Sequence, residues 1–121
     1  MIGLMISNLA SAQYTKTTTD LGNNILSVET VNSGMLSFKV DTEYDMDILW
    51  HFEDRPDGST DYIKYSIVSS NVINTPQGEF LFFELMMPSG LTLDLYLLIG
   101  GARAIYFFSD GQWDYEGNVI Y

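Results

Sequence analysis

Residues 79–109 read EFLFFELMMPSGLTLDLYLLIGGARAIYFFS, and the alternation inside this stretch decides the fold. Leu81, Phe83, Leu85 and Met87 form one period-two set. Leu91, Leu93, Leu95, Leu97 and Ile99 form a second, and Ala102, Ala104, Tyr106 and Phe108 a third. Successive side chains of a strand point to opposite faces, so each set marks one side of one strand. Pro88-Ser89-Gly90 and Gly100-Gly101 separate the runs and suit hairpin turns. A three-residue loop at 88–90 and a two-residue loop at 100–101 put all three sets on one core face.

The opposite face is unusual. It carries Phe80, Phe82, Glu84 and Met86, then Thr92, Asp94, Tyr96 and Leu98, then Arg103, Ile105 and Phe107. A water-facing sheet surface is ordinarily polar, and a patch this apolar calls for cover. The cover could be a second layer of the same sheet, a partner subunit, a bound apolar ligand, or residues Met1 to Leu9 if they are retained. In this register Glu84 sits across from Asp94, and Arg103 lies diagonal to Tyr96. Glu84, Asp94, Tyr96, Arg103 and Phe107 are therefore the candidate ligand-binding residues, polar groups orienting a ligand on an apolar surface. The alternative is that they are solvated residues at a sheet margin.

Outward from this centre, turn signals recur at the spacing of an antiparallel all-β domain. Asn24 to Val31 reads as a strand, closed by Asn32-Ser33-Gly34, with Met35 to Asp41 as its hairpin partner. In Tyr44 to Glu53, the residues Tyr44, Met46, Ile48, Trp50 and Phe52 face the core, and Asp45, Asp47, His51 and Glu53 face water. A four-residue loop at Arg55 to Gly58 pairs Trp50 with Ile63, Ile48 with Tyr65 and Met46 with Ile67. Short strands follow at Gln112 to Glu116 and Val119 to Tyr121. About eight strands result. No segment after Gln13 keeps helical periodicity, and residues 13–23, rich in Thr, Asn and Gly, read as an irregular lead-in.

The start, MIGLMISNLASAQ, reads as an apolar run followed by an Ala-x-Ala cleavage signal. Ala10 and Ala12 take the −3 and −1 positions, which predicts a signal peptide over 1–12, a mature start at Gln13 and a secreted or periplasmic protein. The run lacks an opening Lys or Arg and is short, as a truncated signal would be. No run is long enough to span a membrane as a helix.

The 121 residues make one domain, and their 46% hydrophobic content argues for a packed core. With no cysteine, disulfides, thiolate nucleophiles and Cys-ligated metals are excluded. Sixteen acids against five basic residues give a net charge of −11, which excludes nucleic-acid binding and attraction to anionic membranes. Half of the acids crowd between Asp41 and Asp61.

Catalytic chemistry is thin. His51 is the only histidine and falls on the acidic side of its strand, where a surface imidazole is the ordinary expectation. Glu84 and Asp94 could form a hydrolytic carboxylate pair, but surface acids mostly serve solubility. Calcium is the metal the acidic loops 41–47, 54–61 and 110–116 could hold, although none has EF-hand spacing; no other cofactor is implied. No phosphate-binding loop is present. Trp50 belongs with the core, and Trp113, beside a turn, is the tryptophan available to a sugar.

The expected fold is all-β, an antiparallel hairpin meander closing into a small barrel or a two-layer sandwich. In architecture alone it resembles the lipocalin-like barrels; no Gly-x-Trp motif follows the N-terminus, so no family is implied. The expected function is a secreted, non-enzymatic binding protein for a small apolar or amphipathic ligand. The alternative is an interaction module whose second face meets another copy of itself or a partner.

Overall fold

The computed structural model describes residues 13–121, so the cleavage signal expected over residues 1–12 lies outside the described residues. The fold is all-β. Ten strands form one sheet: β1 (Gln13–Asp20), β2 (Ile25–Asn32), β3 (Met35–Glu43), β4 (Met46–Asp54), β5 (Thr60–Thr75), β6 (Gly78–Met86), β7 (Thr92–Leu98), β8 (Arg103–Phe108), β9 (Gly111–Gly117) and β10 (Val119–Ile120). Their order is β10-β3-β4-β5-β6-β7-β8-β9-β1-β2, antiparallel throughout except for the β10–β3 pair.

The centre follows the pattern in its sequence. Glu84 pairs with Asp94, Leu85 with Leu93 and Leu97 with Ala104. Phe83, Leu85, Leu93, Leu95, Leu97, Ala104 and Tyr106 are buried together on the inner face. Burying each such side chain contributes about 1.5–3 kcal/mol before entropy is counted.

The sheet curls until strands near its two ends meet. β2 leads into β3 and β9 into β10, each across one or two residues, so the chain crosses the seam twice. Asn118 ties the seam: its N–H donates to Gln13 O at 2.8 Å, its carbonyl accepts from Leu36 N at 2.9 Å, and its Nδ2 donates to Gly34 O at 2.9 Å. The result is an open barrel, closed at this end but not all round.

Four expectations need correction. Residues 13–20 of the supposed lead-in are β1, a full strand between β9 and β2. Its run of threonines suits a strand through β-branching, without the alternation that announces one. β2 is not the hairpin partner of β3; it pairs with β1, and β3 pairs with β4 and β10. β4 starts at Met46, because Tyr44 and Asp45 form a turn with φ of 50° and 63°. Finally, the β4–β5 register is displaced by one residue: Leu49 meets Tyr65, His51 meets Ile63, and Trp50 meets Lys64.

That displacement turns β4 over. Leu49 and His51 point inward, while Trp50 and Phe52 lie on the outer face with Tyr62. The β4–β5 turn has five residues, 55–59, not four; Arg55 N bonds Ser59 O and Gly58 N bonds Arg55 O. β5 is a long strand that serves both neighbours, pairing with β4 up to Ser66 and with β6 from there on. A bulge at Val68 resets its register between the two halves.

Candidate functional site

Inside the apolar core, β4, β5, β8 and β9 bring one polar cluster together. His51 is 1% exposed, so the expected surface imidazole is a core residue. Its Nδ1 lies 2.6 Å from the Tyr106 hydroxyl, and Phe38 packs edge-on against the ring at 5.3 Å. Nε2 is 3.2 Å from Glu53 Oε1 but poorly aligned, and it stays buried without a proper acceptor. We read this contact as electrostatic rather than as a full hydrogen bond. The Tyr106 hydroxyl is thus the hydrogen-bond partner of Nδ1, and Nε2 faces the carboxylate. Tyr65 and Tyr115 join the cluster by packing on Tyr106, with ring centres 5.9 and 6.2 Å away, and Tyr115 also stands edge-on to His51 at 5.8 Å.

The electrostatics follow from this enclosure. Closeness to His51 holds the Glu53 carboxyl below the usual carboxylate range, overcoming burial, which acts the other way. Burial pushes Tyr14 and Tyr65 up to about 12 and also raises Tyr106 and Tyr115. Lys16 points inward too, with Nζ 3.8 Å from the Trp113 ring centre. Trp113 in turn packs on Phe108 at 4.4 Å, so it is not the free tryptophan expected from sequence.

The cluster opens to solvent through a cavity of about 460 Å³ at the seam. Tyr14 and Lys16 of β1 and residues 29–32 of β2 make one wall; Glu53, Arg55 and Pro56 make the other. The cavity therefore fills the gap between the edge of β2, unpaired among the described residues, and the end of β4. Its size is within the range of small-ligand sites. Arg55 is paired with Asp61.

No family model matches this chain, and no curated protein or solved structure is significantly similar to it. The site must therefore be argued from its own geometry.

The residues singled out from sequence all lie on the outer face, where Asp94 pairs with both Glu84 and Phe107, and three of the five border one depression. Tyr96, Arg103 and Phe107 border a shallow depression of about 290 Å³ floored by Phe80 and Ile105. Tyr96 packs on Phe82 at 5.0 Å and on Phe107 at 5.3 Å. Arg103 is held by Asp114 through a two-pronged pair at 3.1 and 2.8 Å. Glu84 and Asp94 sit side by side on the neighbouring strands. Glu84 accepts from Ser69 at 3.1 Å, and burial, then the Glu84 charge, raises Asp94 above its ordinary value.

In the acidic loop 54–61, Asp57 accepts from Ser59 and Asp54 from Thr60. No group of three acids or histidines among the described residues is arranged to hold a metal ion.

Sequence reading missed Tyr14, Glu53 and His51 as site residues. One signal pointed to them: Ile48 and Leu49 are adjacent, so the core side of the strand could have been either, and only the Leu49 choice brings His51 inside.

Proposed function

We propose that this protein binds a small amphipathic ligand in the seam cavity and does not transform it. One observation carries this reading. The cavity ends on the Tyr14 ring and the Glu53 carboxylate, and behind Glu53 lies a buried imidazole nitrogen without an aligned acceptor. A carboxylate beside an aromatic ring suits a ligand with a cationic head and an apolar body. His51 itself is enclosed behind Glu53, which favours a structural over a catalytic role. We place the ligand here rather than on the outer face because Arg103 there is already committed to Asp114.

Titration with octyltrimethylammonium, followed by amide chemical shifts, tests the reading. Saturable shifts at Tyr14, Glu53 and residues 29–32 are expected, with affinity at least tenfold weaker in Glu53→Gln. Shifts confined to the outer face, or none at all, would overturn it.

We infer further that the protein acts after export, with residues 1–12 removed. Ala10 and Ala12 at the −3 and −1 positions of that site support this reading. Mass spectrometry of the native protein should find Gln13 first; a chain retaining Met1 would refute export by this route.

The array of Phe82, Tyr96 and Phe107, which no other described element covers, favours a second reading, an interface with another copy or a partner. Light scattering at high micromolar concentration decides the self-association version: a strict monomer eliminates it.

A further inference from the structure

The cavity wall contributed by β2 is unusual in a way that narrows the ligand. Glu29, Thr30, Val31 and Asn32 all line it, four residues in a row. Alternate residues of a strand face opposite sides, so an ordinary cavity on one face touches every second residue. Here Glu29 and Val31 share the inner side with their β1 partners Lys16 and Tyr14, while Thr30 lies on the other side with Thr15. A cavity that touches both sides must run along the edge of the strand itself.

That edge is unpaired among the described residues, since β2 ends the sheet and bonds only β1. In an antiparallel pair, half of a strand's N–H and C=O groups turn away from its partner. Those groups of residues 29–32 therefore look into the cavity, toward the wall formed by Glu53, Arg55 and Pro56. Natural edges are commonly blunted by lysine, proline or a bulge. β2, ILSVETVN, has no lysine or proline, and its one register shift lies toward the hairpin tip, between Thr18 and Thr19. The cavity-lining part is regular.

We propose that the ligand is an extended peptide that adds to the sheet as a further strand beside β2. This rests on the seam cavity being the binding site and names its occupant. Four residues of strand span roughly 13 Å, so a segment of about four residues matches the lined edge. Main-chain hydrogen bonds to β2 hold it, as in other strand-addition sites. Glu29 and Glu53 offer their carboxylates to a basic side chain; Arg55 is neutralised by Asp61, while Lys16, still cationic over the Trp113 ring, lies across from Glu29 and leaves Glu53 the main anchor. The protein's net charge of −11 favours the same partner.

The test uses the peptide acetyl-Thr-Val-Lys-Val-Thr-amide, two analogues N-methylated at alternate amides, one on each edge of the strand, and octyltrimethylammonium, with binding read by calorimetry and amide hydrogen exchange. The unmodified peptide should slow exchange at alternate amides of residues 29–32. N-methylation on the pairing side should weaken it at least tenfold, and Glu29→Gln, which puts no like charge opposite Lys16, should weaken it severalfold. Peptide binding that tolerates both N-methylation patterns and protects none of these amides overturns strand addition and leaves the cavity reading standing. Binding of octyltrimethylammonium without any peptide binding does the same. Failure of every probe sinks both. Amides of residues 29–32 already protected in the free full-length chain would show that the chain fills its own edge, and would also overturn the proposal.

Discussion

The hydroxyl of Tyr106 is the narrowest support in the molecule. It is fully buried, and it supplies the only partner of His51 Nδ1 among the described residues. Tyr106→Phe keeps the ring and leaves that nitrogen unsatisfied, so the variant should lose about 1–3 kcal/mol in urea unfolding. A loss near zero would mean that the cluster is wetter than its burial indicates. Tyr14 and Tyr65, with values near 12 against an ordinary 10.0, give a second handle. Their raised values mean that the folded state holds those protons more tightly than the unfolded chain does. The stability they contribute is complete below pH 10 and drains away as pH rises from 10 through 12. Phenolate absorbance from Tyr14, Tyr65, Tyr106 and Tyr115 should thus appear only with unfolding, as a cooperative step in an alkaline titration. Smooth ionisation of all eight tyrosines with the fold intact would contradict this burial.

At the scale of elements, the sequence was readable wherever turns and alternation agreed. Between Glu79 and Ser109 two glycine-containing turns fix the register, one parity of each strand is wholly apolar while every charged residue from Glu84 to Arg103 falls on the other, and the observed pairs match. β4 offered no such agreement. Trp50 and Phe52 are large and apolar yet lie outside, and His51 and Glu53 are polar yet lie inside, since a small aromatic array covers one pair and a polar cluster satisfies the other. A one-residue change in the β4–β5 turn length was enough to exchange them. β1 escaped notice because threonines carry no face. The turnover of β4 has a direct test. Leu49→Ala should cost about 2–5 kcal/mol, and Trp50→Thr less than about 1 kcal/mol, as for a surface change. The reverse ranking in chemical denaturation would restore the register expected from sequence. Among the candidate site residues, Tyr96, Arg103 and Phe107 were found as neighbours because they share the readable region. Tyr14 and Glu53 were not, because they meet only across the seam.

For the whole molecule, the seam is the decisive feature, and nothing local in the sequence announces it. Asn118 holds both sides with three hydrogen bonds, reaching Gln13, Gly34 and Leu36. Asn118→Ala keeps the two main-chain bonds and removes one side-chain bond, so it should cost about 0.5–1.5 kcal/mol. Amide exchange at Leu36 should quicken while that of β7 stays unchanged; equal quickening in both would show that the seam and the centre open as one unit. The same seam dictates the order in which the molecule can form. The hairpins from β4 to β9 need only near neighbours and can zip early, whereas the Asn118 bond to Gly34 joins residues 84 positions apart. Closing so long a loop is entropically costly and slow, and it comes after most of the sheet exists. The chain should therefore pass through a species with a formed centre and a gaping seam, its β2 edge and inner aromatics open together. During that interval, rather than in the native state, this protein is most exposed to sticking to its own kind.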